Sequence, residues 1–293
     1  MHEIDLIREI LRKILHSDLG RSYDGAGVPE TKFKIIAKSS GLICGVKYIP
    51  EIVAMLERDF FIKQPHGETY KPVLVTIDEH DGSWVTLSPS GTVIAELYGN
   101  GEVSLKAERT ICNIIARLSG IATETRRQVQ QLEGIKVELY DTRKDISILR
   151  ELDQYAVEIG GGKSHQISLN DGVIIKGNDI AVYGSVKRAI DIRLAEVRAL
   201  NLIEVEVNNF DLLDEVLNDG RVKMIMLDNM SPDELRIAVN LIHSVEGKYI
   251  IEASGVGSYD LREIAETGVD RISTSSLITR GAGHPLDISM KPA

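Results

Sequence analysis

The sequence predicts an α/β protein in which a small α+β domain precedes an incomplete, barrel-like ring of parallel strands. Three observations carry this. From about residue 136 onward, short apolar runs begin at intervals of roughly 20 to 36 residues, which bracket the ~30 of a βαβ unit. Runs such as Val173-Ile174-Ile175 and Met224-Ile225-Met226-Leu227 are continuously hydrophobic, as strands buried on both faces must be. Nearly every run then breaks off at a charged or small polar group: Asp141 to Lys144, Lys176, Glu204 and Glu206, Asp228, Glu252 to Gly255, and Ser273. Strands alternating with helices make a parallel sheet, and in barrels of this kind ligands gather over the carboxyl ends of the strands. The charged termini are therefore expected to converge on one site.

The 293 residues suffice for one large domain or two modest ones. Ile4, Ile7, Leu11, Ile14 and Leu15 recur at helical intervals with charges between them, predicting a first helix over 1–15 and not the unbroken apolar stretch of a signal peptide. Turn formers from Gly20 to Pro29 follow, then strand-like runs at Phe33 to Ala37 and Leu42 to Val46, and a helix near Glu51 to Phe60. Strands at Val73 to Ile77, Ser83 to Leu87 and Thr92 to Leu97 are separated by Gly, Pro and Asp clusters, and complete a domain over 1–104. A long helix from about Leu105 to Leu132 opens the second domain, 105–283, with Ile111, Ile114, Ile115, Leu118, Ile121, Val129 and Leu132 near one face. Gly120 inside it costs about 1 kcal/mol relative to Ala, which predicts close packing against another backbone.

Strands are expected to begin near Lys136, Gly172, Leu202, Val222, Lys248 and Val269, with helices such as Ser185 to Ala199, Pro232 to Ser244 and Tyr259 to Thr267 between them. Six strands fall short of the eight of a closed barrel, so the ring is expected to be incomplete. The tail Leu286-Asp287-Ile288-Ser289-Met290 alternates like a strand, and 284–293 is expected to return to the first domain.

Composition narrows the function. A formal net charge of −10 with no clustered basic face argues against a nucleic-acid or membrane surface. No apolar run approaches the ~20 residues that span a bilayer, and the cytoplasm is the expected location. Cys44 and Cys112 are far apart and lack metal-ligand spacing, so they are read as small core residues.

Each candidate group has a sharp and a bland reading. Arg143 and Lys144, after the first barrel strand, could clamp a carboxylate or phosphate, or simply charge a solvated loop. Lys176 ends a very hydrophobic strand, and a buried ammonium needs a partner. An anionic ligand, a structural ion pair or a Schiff-base role would each supply a reason for it. Glu204 and Glu206 are two apart on a strand and face one side; with Asp228 they offer oxygen ligands for Mg²⁺, or acids that steady a developing cation. The run from Glu252 to Ser258 includes Ser254 and Gly255, with Ser258 a candidate N-cap, and could hold a phosphate or only tighten a turn. Ser273 and Ser275, after the last strand, add to the phosphate reading. Gly160-Gly161-Gly162 lacks dinucleotide-fingerprint spacing, and His165 beyond it binds an anion or satisfies its loop.

Taken in order, these motifs resemble the quinolinate phosphoribosyltransferase family, the carboxylating nicotinate-nucleotide pyrophosphorylases. The similarity runs through Glu108-Arg109-Thr110, Leu118 to Thr123, Asp141-Thr142-Arg143-Lys144, Tyr155-Ala156-Val157 with the three glycines, and Ile174-Ile175-Lys176. It continues through Glu204-Val205-Glu206, Leu227-Asp228-Asn229-Met230, Glu252-Ala253-Ser254-Gly255 and Thr267-Gly268-Val269-Asp270. The resemblance implies an N-terminal α+β sandwich domain, an incomplete α/β (TIM-like) barrel, and a homodimer in which Arg109 crosses to the other subunit's site. It implies transfer of phosphoribose from phosphoribosyl pyrophosphate to the quinolinate nitrogen with Mg²⁺, then loss of CO₂ to give nicotinate mononucleotide. Lys176, Glu204 and Asp228 would serve the chemistry, with Glu204 and Asp228 the candidate metal ligands. Arg109, Arg143, Lys144, His165, Gln166 and Lys176 would hold the anionic groups of the substrates.

The chain also departs from the family pattern. Gln166 stands where an Arg is usual, Gly177-Asn178-Asp179 replaces Asp-Asn-His, and Asp145 replaces a Thr. Val256 replaces a second glycine, and Ser273-Thr274-Ser275 replaces Ser-Val-Gly. The first group of changes makes the neighbourhood less basic or more acidic, and in the second a Cβ can obstruct close approach of phosphate to backbone. Together they point to a related heteroaromatic acid as an alternative acceptor. They also leave a non-catalytic, metabolite-binding relative as a second reading, and a Schiff-base lyase using Lys176 as a third.

Overall fold

The structure is a computed structural model and describes residues 3–19, 28–60, 71–144, 146–165, 173–197 and 203–293. Its elements in chain order are α1 (Glu3–Leu19), β1 (Glu30–Ala37), β2 (Gly41–Leu42), α2 (Ile49–Asp59), β3 (Leu74–Ile77), β4 (Trp84–Val85), β5 (Thr92–Asn100) and α3 (Gly101–Gln131). Then come β6 (Glu138–Tyr140), α4 (Arg150–Gly160), β7 (Val173–Ile175), α5 (Gly177–Tyr183), α6 (Val186–Val197), β8 (Ile203–Val207) and α7 (Phe210–Asp219). The chain ends with β9 (Met224–Asp228), α8 (Pro232–Ser244), β10 (Ile250–Ser254), α9 (Leu261–Ala265), β11 (Arg271–Ser273), α10 (Ser276–Gly283) and β12 (Ile288–Pro292). Two compact units emerge, one of 1–126, 145–161 and 277–293, the other of 127–144 and 162–276.

The first unit is built on a four-stranded sheet in the order β12-β1-β5-β3, and β12 lies antiparallel to β1 with Ile35 opposite Met290. Ile35, Ile94, Ala95 and Leu97 are buried on this sheet, as are Ile52, Met55 and Leu56 on α2. The unit extends past residue 104 because α3 is tied to the early chain. Ser119 Oγ accepts a hydrogen bond from Cys44 N–H (2.9 Å), and Thr123 Oγ1 accepts one from Leu42 N–H (2.8 Å). Gly120 explains the rest: a Cβ there would stand 2.4 Å from Gly281 O and 2.8 Å from His284 O. The backbone predicted to pack against it is that of α10 and the turn after it. Cys44 and Cys112 are free and buried, and burial pushes the Cys112 thiol up to about 11.

The second unit is a six-stranded sheet in the order β6-β11-β10-β9-β8-β7, parallel throughout. Among the described residues no ladder joins β6 to β7, so the ring stays open. Its centre is the apolar run the sequence displays: Ile175, Val205, Val207, Ile225, Leu227, Ile251, Ala253 and Ile272 are all fully buried. Helices return the chain between strands, and their ends are marked chemically. α8 opens with a capping box in which Ser231 Oγ accepts from Glu234 N–H, and α7 closes on Gly220 at φ 67°, a left-handed value glycine tolerates. α9 is capped by Asp260, two residues beyond the expected Ser258, because the Asp260 carboxylate accepts from both Arg262 and Glu263 N–H.

The contact between α3 and α10 gives a direct stability test. Gly120→Ala forces a Cβ into the Gly281 carbonyl and is expected to destabilise the protein by about 1–3 kcal/mol in chemical denaturation. Gly283→Ala at the end of α10, where nothing beyond the helix's own neighbouring backbone lies within 4 Å of the new Cβ, should not lower the midpoint.

Candidate active site

Parallel pairing aligns the strand ends. Asp228 on β9 lies opposite Ser254 on β10, Glu206 on β8 and Glu252 on β10 both lie opposite Met226, and Ser273 on β11 lies opposite Tyr140 on β6. Over these ends opens a cleft of about 560 Å³ lined by Thr142, Arg143, Lys144, His165, Ile174, Lys176, Glu206, Met226, Asp228, Asn229, Ser254, Gly255 and Ser273. Most of the residues singled out in the sequence therefore share one space.

Each is positioned by local structure. Arg143 and Lys144 are exposed in the turn after β6, where Lys144 N–H donates to Thr142 Oγ1 (3.3 Å). Lys176 is the N-cap of α5, and its backbone N–H donates to Asp179 Oδ2 (3.1 Å). Its side chain is 54% exposed and its Nζ meets Glu206 Oε2 at 3.0 Å, so the buried ammonium expected from the sequence is not found. Ile175 is the last buried position of β7; Lys176 already lies beyond the strand, in solvent's reach.

Glu204 and Glu206 follow the alternation of β8 but reach different depths. Glu206 lines the cleft. Glu204 is buried and does not; neither of its oxygens has a hydrogen-bond partner among the described residues. It stands instead in a cluster with His165 and Glu252. His165 Nε2 lies 3.0 and 3.1 Å from the two oxygens of Glu252 and 3.5 Å from Glu204 Oε2. Burial pushes the Glu204 carboxyl up to about 8, the charge of Glu252 adds to the rise, and His165 and Arg271 oppose it. For His165, burial disfavours the charged ring, but the hydrogen bond to Glu252 and the charges of Glu252, Glu204 and Asp141 prevail and raise its pKa.

Asn229 is the one non-glycine residue at positive φ among those described (58°), and its N–H donates to Ser254 O (3.0 Å), tying the end of β9 to that of β10. Gly255 has φ 69°, and a Cβ there would stand 2.4 Å from Asn229 Oδ1. The glycine thus makes room for a side chain of its own site. Ser273 Oγ is buried and has no hydrogen-bond partner among the described residues, which leaves it available to a ligand in the cleft it lines.

The remaining expectations separate. Arg109 is exposed on α3, and Ser275 is half-buried and absent from the cleft lining. Gln166 and Asp145 lie outside the described residues. Val256 is buried, so its side chain does not obstruct the cleft. Asp179 does not acidify the cleft: its carboxylate caps Lys176 and pairs with Arg193. Sequence reasoning passed over Asn229 as a motif letter, although Asn after a strand-end Asp is a residue type that tolerates left-handed backbone. It also ranked Glu204 above Glu206, which alternation alone cannot separate.

An open parallel α/β ring whose strand ends bring three cations and two acids to one cleft is the build of an enzyme for anionic substrates. The profile of the quinolinate phosphoribosyl transferase C-terminal domain matches residues 121–291. Probable carboxylating nicotinate-nucleotide pyrophosphorylases of Synechocystis sp. and Bacillus subtilis are 36% and 34% identical, over 96% and 97% of this chain and 90% and 92% of theirs. The solved structure of the nicotinate-nucleotide pyrophosphorylase from Francisella tularensis superposes with a TM-score of 0.83 at 30% identity, covering 100% of this chain and 98% of that one. That from Ehrlichia chaffeensis gives 0.83 at 32%, covering 97% and 98%. The chain belongs to the quinolinate phosphoribosyl transferase family, and the family and fold class expected from the sequence are those found.

The Glu204 shift fixes a pH dependence. The folded state holds this proton more tightly than the unfolded chain, so the contribution is intact below about 4.5 and is lost as pH rises to about 8. The difference in melting temperature between Glu204→Gln and the unsubstituted protein should move in the variant's favour across that window. A difference that does not vary with pH would contradict the burial argument.

Proposed function

We propose that this protein transfers phosphoribose from phosphoribosyl pyrophosphate to the ring nitrogen of quinolinate or a closely related heteroaromatic acid. With quinolinate the products are nicotinate mononucleotide, pyrophosphate and CO₂, a proton from solvent replacing the lost carboxylate. The observation that carries this is the cleft itself, which gathers Arg143, Lys144 and Lys176 opposite Glu206 and Asp228. The cations suit the carboxylates of the acid and the pyrophosphate of the donor. The acids suit the positive charge that develops on the sugar carbon as pyrophosphate departs. Holding both reactants in one cleft removes much of the entropic barrier between them.

Mg²⁺ belongs to this reading. Glu206 and Asp228 are hard oxygen donors at neighbouring strand ends that line the cleft, and they suit the ion better than Glu204, which faces an imidazole below it. When bound, the ion would neutralise charge on the pyrophosphate leaving group. Lys176 and Glu206, paired at 3.0 Å, would each exchange that contact for substrate or metal. The exposed Arg109 on α3 is the residue we assign to a second subunit's site, making the working form a homodimer. Among the described residues no helix is long and apolar enough to cross a membrane. The cytoplasm is the place we assign to the reaction.

Incubation with phosphoribosyl pyrophosphate, Mg²⁺ and a panel of pyridine and other heteroaromatic acids, read by product mass, tests the proposal. Formation of nicotinate mononucleotide or its analogue is expected. Thermal stabilisation by these ligands without any conversion would favour a binding protein instead. Lys176→Ala should abolish product formation while changing stability by less than about 0.5 kcal/mol, since more than half of the side chain is exposed. Turnover undiminished in that variant would remove Lys176 from the reaction.

A further inference from the structure

At the wall of the cleft, the imidazole of His165 is held by two carboxylates, Glu204 and Glu252, that do not themselves line it. His165 Nε2 is nearly equidistant from the two oxygens of Glu252, at 3.0 and 3.1 Å, with Glu204 Oε2 behind at 3.5 Å. Glu252 is fully buried and Glu204 nearly so. The ring is held on other sides as well. Its backbone N–H donates to Asp141 Oδ1 (2.7 Å), and Asp141 N–H donates in turn to Lys163 O (3.0 Å) beside β6. The Tyr140 ring meets the imidazole in an edge-to-face contact, with centroids 5.9 Å apart and planes at 73°.

Burying carboxylates is costly unless each finds a donor, and the donor offered to Glu252 is Nε2. An ionised carboxylate only accepts, so the nitrogen bonded to both of its oxygens carries a hydrogen. With Nε2 committed, Nδ1 is the ring nitrogen left for the cleft that His165 lines, and the surrounding carboxylates, which favour the charged ring, keep a hydrogen on it as well. Glu252 itself does not line the cleft, so it reaches a ligand only through this ring. The three side chains also place ligand-type atoms within 4.8 Å of one another, as a divalent cation would need. A metal at about 2.0–2.2 Å from each donor would, however, have to displace the hydrogen that now joins Nε2 to Glu252.

We infer that Glu252 is a positioning residue for substrate binding: it accepts the Nε2 hydrogen of a His165 imidazolium and so holds the ring with its Nδ1–H donating to a carboxylate of the acceptor acid. This rests on the reading that the acid occupies the cleft. It adds a role for a residue that never touches it.

Two measurements test it independently. In long-range ¹H–¹⁵N spectra of the unsubstituted protein, the His165 ring, assigned by its disappearance in His165→Gln, should show a hydrogen on Nε2. A ring with Nε2 bare overturns the inference whether or not the protein turns over substrate, and this result stands even if variants at 252 fail to fold. In kinetics, Glu252→Gln should raise KM for the acceptor acid about tenfold while leaving KM for phosphoribosyl pyrophosphate within about twofold. The same substitution made on top of His165→Gln should add nothing, because its effect passes through that ring. Equal losses in both backgrounds, or a matching rise in the donor's KM, would overturn the role. Tight Zn²⁺ binding that disappears in Glu252→Gln would also overturn it, in favour of a cation site. Absence of product from every acid would count against the proposed reaction, while the nitrogen spectra would still decide the geometry of the ring.

Discussion

The site exists because six strands run parallel in a fixed register. That register sets Asp228 beside Ser254, Glu206 and Glu252 beside Met226, and Ser273 beside Tyr140, so residues from distant parts of the chain end at one level. It is held by a centre in which Ile175, Val205, Ile225, Leu227, Ile251, Ala253 and Ile272 exclude water entirely. A one-residue slip in any strand would reverse its inward and outward faces and remove its contribution to the cleft. Function here depends on packing as much as on the charged groups.

The same register grades the acids by depth. Glu206 and Asp228 meet the cleft, where ligand, ion or solvent can balance them. Glu204 and Glu252 lie below, balanced by His165, with Arg271 lowering the cost for Glu204. Two acids two residues apart on one strand thus occupy different dielectric surroundings, and burial pushes the carboxyl of the deeper one, Glu204, up to about 8. Departures from the family pattern fall into the same physical frame. Asp179 is engaged by the Lys176 N–H and Arg193, and Val256 is packed out of the cleft, so neither alters the surface a substrate would meet.

Much of this was legible in the sequence because each strand of the barrel announces itself as a hydrophobic run ending in chemistry. Lys176, Asp228, Ser254 and Ser273 could be placed at strand ends without coordinates, and Gly120 could be read as a close approach, which Gly281 supplies. Depth was not legible. Alternation puts Glu204 and Glu206 on one face but does not say which is covered, since that depends on His165 arriving from a loop before β7. Nor did the run to Lys176 reveal that the strand ends at Ile175, one residue earlier, leaving the ammonium exposed. The extent of the first unit was hidden for a similar reason: the hydrogen bonds from Cys44 and Leu42 to α3 link positions far apart in the chain.

The most direct test of the central claim, that the strand-end charges form one binding surface for a planar diacid, is a crystal structure with benzene-1,2-dicarboxylate, which lacks the ring nitrogen and cannot react. The account predicts its carboxylates among Arg143, Lys176 and His165, over the ends of β6, β7 and β8. Clear density for the diacid elsewhere, with this cleft holding only solvent, would contradict it.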